Sequence, residues 1–150
     1  MMTAPTIRPF TPEDLEACIR LYMKTFSREP WNDSWESSDV VRTFLKRHMA
    51  NNYFTAYVAE QDGRLLGASI GFMKPYIRGM EYYIDEYFID PDSQGQGIGR
   101  LLMDGIRDDL KAQGVHAIML LTERDYPAYA FYKRIGFEAE ETMHPLFSSF

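Results

Sequence analysis

The feature that most constrains this chain is a glycine-rich turn between two regular segments. It follows a strand-like run, Tyr82 to Ile89, and opens a helix-like run, Ile98 to Ala112. Backbone N–H groups converge at such a junction, beside the positive end of the helix dipole. The sequence therefore predicts a strand–loop–helix unit that binds the pyrophosphate of a cofactor. The residues of the turn are Gln94, Gly95, Gln96, Gly97, Ile98, Gly99 and Arg100.

Two common phosphate-binding loops do not fit this turn. A P-loop requires a Lys and then a Ser or Thr after its last glycine, whereas Gly99 precedes Arg100. A dinucleotide fingerprint requires G-x-G-x-x-G, and counting from Gly95 puts Arg100 in the last position. Counting from Gly97 puts Leu102 there. The pattern that remains is Q-x-x-G-x-G after a strand.

A second segment downstream, Asp125 to Phe137, reads D-Y-P-A-Y-A-F-Y-K-R-I-G-F. The loop and this segment together resemble the GNAT superfamily of N-acetyltransferases. In that family an acetyl-CoA loop is followed by a late helix with the pattern N-x-x-A-x-x-x-Y-x-K-x-G-F. The two motifs stand in the family's order and about its distance apart. The resemblance covers roughly residues 54–137, and the N-terminal part more loosely.

The resemblance implies a fold and a cosubstrate. The expected fold is mixed α/β (α+β), with one mostly antiparallel twisted sheet flanked by helices and splayed between strands 4 and 5. Acetyl-CoA would enter that cleft, with its pyrophosphate on the backbone amides of residues 94–100. Gln94 would donate through its side chain, and Arg100 would either add charge or remain solvated. Backbone groups of Tyr87, Phe88 and Ile89 would meet the pantetheine.

One position departs from the family's pattern. Asp125 stands where the family usually has Asn, which both donates to and accepts from the pantetheine amides. An ionised Asp only accepts hydrogen bonds, so a cofactor contact by Asp125 is placed in question.

Acetyl transfer to an amine requires a polarised thioester carbonyl, a deprotonated amine and a neutralised thiolate. Because the thioester is already activated, we expect direct attack in a ternary complex without a covalent intermediate. The resemblance places Tyr132 near the CoA sulfur as general acid. The alternative is a structural tyrosine that packs the last helix on the sheet.

Asp85 and Glu86 are the candidate general bases. Because they are adjacent on one strand, their side chains are expected on opposite faces of the sheet. The family's register favours Asp85, although a β-bulge would reverse that parity. The alternatives are ordinary carboxylates at the strand edge, or a base that acts through water.

The segment from Glu29 to Glu36 stands where family members place the wall of the acceptor site. Its two aromatic and nearby acidic side chains suit a cationic amine. The alternative is a loop that its tryptophans pin to the core. The residues assigned to acceptor binding are Trp31, Asp33, Trp35 and, on the predicted strand, Tyr83.

Length and composition limit the classes of protein. The chain has 150 residues, 45% of them hydrophobic, which suits a single domain with a packed core. Its net charge of −6 argues against nonspecific nucleic-acid binding and suits either a cationic acceptor or mere solubility. The chain has a single cysteine, so no intrachain disulfide can form, which is consistent with a reducing cytoplasm. Cys18 falls on an apolar helix stripe, which favours a place in the core over a nucleophile. His48, His116 and His144 lack ligand spacing, so no metal is expected.

The termini and hydropathy add further expectations. Residues 1–5 show no signal pattern, and no apolar run approaches the ~20 residues that span a bilayer, so a cytoplasmic protein without a membrane partner is predicted. The apolar C-terminus, Leu146 to Phe150, is a hypothetical homodimer contact.

The predicted order of elements is two helices, an antiparallel meander and a β-α-β-α-β tail. The first strand is Thr6 to Phe10, and the next two, Phe54 to Glu60 and Leu65 to Met73, form a hairpin. A central strand is expected over Val115 to Thr122, followed by a helix over Pro127 to Arg134 and one or two C-terminal strands.

These observations favour an N-acetyltransferase that acts on a primary amine of a small molecule or peptide. The alternatives within enzymes are a protein N-terminal or side-chain acetyltransferase and an enzyme of the aminoglycoside-modifying type. The alternative from another class is a non-catalytic acyl-CoA sensor, which would keep the loop at residues 94–100 but make no use of Tyr132.

Overall fold

The computed structural model describes residues 3–150. Met1 and Met2, which begin the segment that was searched for a signal pattern, lie outside the described residues. A five-stranded sheet is flanked by four helices. The strands are β1 (Thr6–Pro9), β2 (Phe54–Gln61), β3 (Arg64–Tyr76), β4 (Gly79–Ile89) and β5 (Ile118–Leu120). The helices are α1 (Leu15–Phe26), α2 (Ser38–Met49), α3 (Ile98–Ala112) and α4 (Pro127–Arg134).

Capping residues set the starts of the first two helices. Thr11 and Asp14 form a capping box around a short 3-10 turn, and α1 continues from it. The Ser37 side chain accepts a hydrogen bond from the backbone of Asp39 and caps α2. Both helices pack one apolar stripe on the sheet, with Cys18 fully buried on α1.

The sheet order is β1-β2-β3-β4-β5, antiparallel except for the parallel pair β4 and β5. This confirms the predicted mixed α/β fold with a mostly antiparallel sheet. The hairpin between β2 and β3 turns through Asp62 and Gly63, whose φ angles of 52° and 79° are both positive. Positive φ at both central residues gives the turn a twist that matches the paired strands.

The C-terminal region differs from the sequence prediction in two ways. The expected central strand over residues 115–122 is only three residues long, and β5 lies at the edge of the sheet. The expected C-terminal strands do not form, and residues 135–150 contain no strand. Exposed apolar side chains there include Leu146, Phe147 and Phe150, and the homodimer contact stays a prediction. A short apolar run alone did not distinguish an edge strand from a central one.

The sheet separates two apolar layers. On one face, α3 and α4 cover Tyr82 and Ile84 of β4. On the other, α1 and α2 cover Phe88 of the same strand and Ile70 of β3. The strand β4 therefore contributes side chains to both layers. Within residues 3–150, no helix combines the length and the apolar character that a membrane span requires.

A β-bulge interrupts the pairing of β3 with β4. Ile70 pairs with Glu86, but the next residue, Gly71, pairs with Ile84, so Asp85 is left without a partner on β3. A Cβ atom at Gly71 would lie 2.0 Å from the Tyr83 carbonyl oxygen. Only glycine allows this close approach of the two backbones.

Candidate active site

The candidate site is a cleft that opens where β4 and β5 separate. The two strands pair only over Tyr82–Ile84 and Ile118–Leu120. Beyond Ile84, β4 continues to Ile89 with no strand on that side. Among the described residues, this edge of residues 85–89 pairs with no strand, and the Ile89 carbonyl accepts a hydrogen bond from the Gln94 side chain. The edge can therefore receive an extended ligand, which agrees with the splay predicted between the fourth and fifth strands.

The cleft has a volume of about 460 Å³ and walls from three parts of the fold. One wall is the free end of β4, the opposite wall is α4, and the glycine loop closes one end. Thr25 of α1 and Trp31 of the following loop also line it. The predicted site residues in the lining are Trp31, Tyr87, Phe88, Ile89, Gln94, Gly95, Gly97, Ile98, Gly99, Arg100 and Tyr132.

The glycines of the loop serve two physical purposes. Gly95 and Gly97 have φ angles of 80° and 79°, a left-handed conformation that glycine adopts without strain. Space beyond both is open, and Gly97 is the N-cap residue of α3, so the first amides of the helix face the cleft. Gly99 differs, because a Cβ atom there would lie 2.9 Å from the Phe131 ring of α4.

A charged cluster that the sequence reasoning missed anchors the start of the loop. The buried Asp90 accepts hydrogen bonds from Arg64 and from the backbone N–H of Asp92, and it pairs with Lys24 at 2.8 Å. Lys24 and Arg28 of α1 also pair with Asp92. The hydrogen bonds and the positive charges lower the pKa of Asp90 against the opposing effect of its burial. The dipeptide Asp90-Pro91, a typical start of a helical turn, was the signal for this anchor.

Tyr132 lies on α4, buried, and its ring packs edge-on against Tyr87 and Phe137. Its hydroxyl makes no hydrogen bond within residues 3–150 and is not sealed from solvent, so it is open to the cleft. Burial, and then the charge of Glu86, raise the pKa of Tyr132, which keeps the hydroxyl protonated at neutral pH. The Tyr87 hydroxyl instead donates to the Gly99 carbonyl and ties β4 to α3.

The prediction that Asp85 and Glu86 point to opposite faces is wrong. The Asp85 carboxylate lies 2.8 Å from Nε2 of His48 on α2, and the Tyr22 hydroxyl of α1 donates to Glu86 at 3.4 Å. Both carboxylates thus meet the helices of the same face. The bulge at Asp85 causes this, because an extra residue in the strand shifts the alternation of side chains.

The two carboxylates differ in environment. Asp85 is exposed, whereas Glu86 is half-buried beside Tyr22, whose ring packs against Trp35, Phe44 and Phe88. Burial raises the pKa of Glu86 to about 7, and the charge of Asp85 adds to the rise. The hydrogen bond from Tyr22 and the charge of His48 oppose it. A carboxyl with this pKa exchanges a proton at neutral pH, as a general base must.

The segment predicted to bind the acceptor divides between two places. Trp31 lines the cleft and packs edge-on against Phe26 and Tyr126. Trp35 packs instead against Tyr22, the partner of Glu86. Both tryptophans are half-buried in the apolar layer of α1 and α2, which fits a loop pinned to the core.

The remaining residues of the predicted acceptor wall, Asp33 and Tyr83, lie near the two carboxylates. Asp33 is exposed, and its charge contributes to the raised pKa of Glu86. Tyr83 packs on Phe72, and the charge of Asp85, after burial, raises the Tyr83 pKa. The face of β4 toward α1 and α2 is therefore acidic and aromatic.

The polar side chains among the predicted cofactor residues, those of Gln94, Gln96, Arg100 and Asp125, are exposed. The Gln94 side chain reaches the Ile89 carbonyl at 3.4 Å, and Arg100 lines the cleft from the first turn of α3. Gln96 and Asp125 do not line the cleft. Asp125 stands in the turn before α4 and is exposed.

Two other features lie apart from this cleft. A second cavity, also of about 460 Å³, is lined by Arg107, Lys111, His116 and Phe137 among others, and contains none of the predicted site residues. Within residues 3–150, no group of three or more His, Cys, Asp or Glu side chains is placed to hold a metal ion.

Comparisons with known proteins agree with this geometry. The profile of the acetyltransferase (GNAT) family matches residues 15–137. A mycothiol acetyltransferase of Thermomonospora curvata is 32% identical over 137 residues, which cover 88% of this chain and 43% of that protein. The chain therefore spans less than half the length of this curated relative.

Solved structures share the fold over nearly the whole chain. A transcriptional regulator from Bacillus halodurans C-125 superposes with a TM-score of 0.75 and 25% identity, covering 98% of this chain and 100% of that one. The aminoglycoside N-acetyltransferase AAC(6')-Iy, solved in complex with CoA, superposes with a TM-score of 0.73 and 16% identity. The match covers 97% of this chain and 94% of that one, and at this identity it shows the fold alone.

Proposed function

The chain belongs to the acetyltransferase (GNAT) family, and we propose that it forms a single catalytic domain that transfers acetyl from acetyl-CoA to a primary amine of a small molecule. One observation carries the proposal. A cleft with a left-handed glycine loop at one end holds a protonated Tyr132, and on the other face of the same strand lies Glu86, a carboxyl with a pKa near 7. Anion binding, an acid and a base therefore meet around β4.

Different parts of the chain bind different parts of acetyl-CoA. The amides after Gly95 and Gly97 bind the diphosphate of CoA, where the dipole of α3 adds to the attraction. The free backbone edge of residues 85–89 pairs with the amides of the pantetheine arm. Trp31 covers the cleft opposite α4.

The catalytic residues move two protons. Acetyl-CoA supplies an activated thioester, so the protein needs no covalent nucleophile. Glu86 accepts a proton from the acceptor ammonium, which frees the nitrogen lone pair to form the C–N bond. As the C–S bond breaks, the Tyr132 hydroxyl gives its proton to the departing thiolate. The second proton of the acceptor nitrogen then passes to the tyrosinate, so that a neutral amide and the thiol of CoA leave and Tyr132 is restored. A positioned acid or base of this kind contributes about 10²–10⁴-fold in rate.

The surroundings of Glu86 support a cationic, small acceptor. Asp33 and Asp85 are acidic neighbours, and Trp35 and Tyr83 offer aromatic surface nearby. The name of the 32% identical relative, a mycothiol acetyltransferase, supports acetylation of a small molecule. A peptide amine remains the rival acceptor.

Replacement of Tyr132 tests the proposal. We expect Tyr132→Phe to leave the dissociation constant of acetyl-CoA nearly unchanged in calorimetry and to lower turnover, measured as CoA thiol release, at least about tenfold. Tyr129→Phe, which removes a hydroxyl from the same helix outside the cleft lining, is the matched control. Unchanged turnover in Tyr132→Phe would exclude Tyr132 as the acid.

A panel of acceptors separates the enzyme from its alternatives. Thiol release is measured with polyamines, aminoglycosides, amino acids and peptides. Release with small amines supports the proposal, and release with peptides alone supports a protein acetyltransferase. Tight acetyl-CoA binding without release for any amine would instead support a non-catalytic sensor.

A further inference from the structure

The bulge on β4 places a histidine–carboxylate contact directly beside the proposed base. Asp85 is the residue without a partner on β3, and its carboxylate turns toward α2. There it meets Nε2 of His48 at 2.8 Å, 37 residues away in sequence. The imidazole lies edge-on against the Phe44 ring, with centroids 4.9 Å apart, so its orientation is fixed. The pair is thus built into the fold.

The two members of the pair act on Glu86 with opposite signs. A negative Asp85 next to Glu86 opposes its ionisation, and a positive His48 favours it. His48 is 15% exposed and Asp85 is 36% exposed, so neither charge is fully screened by solvent. The titratable groups that face Glu86 from the elements around it are Tyr22 of α1, Asp33 of the loop after α1, His48 of α2, Asp85 of β4 and Tyr132 of α4.

We propose that His48 and Asp85 are positioning residues that set the proton affinity of Glu86 through opposed charges, and thereby set the pH range in which the site works. The inference rests on the proposed function of Glu86 as base. Of the two charges, that of Asp85 acts more strongly on Glu86, and a protonated His48 offsets it in part. Removal of either member leaves the charge of the other uncompensated. The two single variants should therefore shift the proton affinity of Glu86 in opposite directions.

The pH dependence of kcat/KM tests this directly, because its acidic limb reports the base of the free enzyme. In Asp85→Asn the acidic midpoint is expected to fall by about 0.5 to 1 in pH, since a repelling charge is lost. In His48→Gln, which keeps a hydrogen-bond donor without the charge, the acidic midpoint is expected to rise by a smaller amount, since the charge of His48 acts less strongly on Glu86 than that of Asp85. His116→Gln, an exposed histidine outside the cleft lining, is the control and should leave the midpoint unchanged.

A merely structural role predicts a different result. Loss of packing or of a hydrogen bond would lower kcat/KM at every pH and leave the midpoint in place. Unmoved midpoints, or midpoints that move in the same direction in both variants, overturn the inference.

A second measurement separates this inference from the proposed function. The carboxyl carbon of Glu86 is titrated by ¹³C NMR in the wild type, Asp85→Asn and His48→Gln, without substrate. Opposite displacements of the titration midpoint support the proposed role of His48 and Asp85 even if Glu86→Gln retains activity. Retained activity in Glu86→Gln would contradict only the assignment of Glu86 as base. Identical titration curves in the three proteins contradict the pair whatever the kinetics show.

Discussion

Replacement of Glu86 by Gln should stabilise the protein at alkaline pH while it impairs catalysis. Burial and Asp85 raise the pKa of Glu86 from its ordinary value of 4.5 to about 7. Because the folded state holds the proton more tightly, the contribution of Glu86 to stability is fully present below pH 4.5 and is lost as the pH rises to 7. Glutamine mimics the protonated carboxyl and avoids this loss.

The size of the effect follows from the pKa rise. A rise of about 2.5, at about 1.4 kcal/mol for each pKa unit, corresponds to about 3 kcal/mol above pH 7. The free energy of unfolding of Glu86→Gln should therefore exceed that of the wild type by about 3 kcal/mol at pH 8 and by about 1 kcal/mol at pH 5. The same variant should lose about 10²–10⁴-fold in turnover, since it has no base.

Urea denaturation at the two pH values measures the difference. Glu123→Gln, which replaces an exposed carboxylate before α4, is the control and should show no gain that grows with pH. If Glu86→Gln is no more stable than the wild type at pH 8, or if its advantage is the same at pH 5, the carboxyl is not held in the environment argued above.

Three further variants test the supports of the site. Gly97→Val should abolish acetyl-CoA binding in calorimetry, because valine does not adopt the left-handed backbone that aims the amides. The control is Gly63→Val, at the same φ of 79° in the β2–β3 turn, which should retain acetyl-CoA binding. An unchanged dissociation constant for Gly97→Val would exclude the loop as the site that binds the diphosphate. Asp90→Asn should raise the KM for acetyl-CoA more than it lowers kcat, since Asp90 anchors the loop, and the reverse pattern in steady-state kinetics would contradict that role. Gly71→Ala should remove the bulge and reduce turnover, whereas full activity with a single register in NMR would refute the need for glycine there.

The parts of the fold that follow from local chemistry were predictable. The bounds of α3 and α4 match the sequence prediction. Gly97 stands at the N-cap of α3 and Pro127 at the first position of α4, and both residue types mark helix starts in proteins generally. The extent of β5 was not predictable in this way. A strand exists only as far as its neighbour pairs with it, and β4 turns away after Ile84.

The parts of the candidate site that lie within one sequence motif were predictable, whereas contacts between distant segments were not. The glycine loop and Tyr132 each lie in a local motif, and the structure places both on one cleft. The contact between His48 and Asp85 depends on how α2 crosses β4, which no local pattern encodes. The bulge left one signal, a glycine inside a strand at Gly71, and that signal did not reveal which residue of the partner strand would be the extra one.

The central claim is that the cleft between β4 and α4 holds acetyl-CoA by its diphosphate. A crystal structure of the complex with CoA tests it most directly. The account predicts diphosphate oxygens within hydrogen-bond distance of the backbone amides of residues 95–99, and the sulfur beside the Tyr132 hydroxyl. A complex in which the diphosphate lies elsewhere, with those amides facing only water, would contradict it.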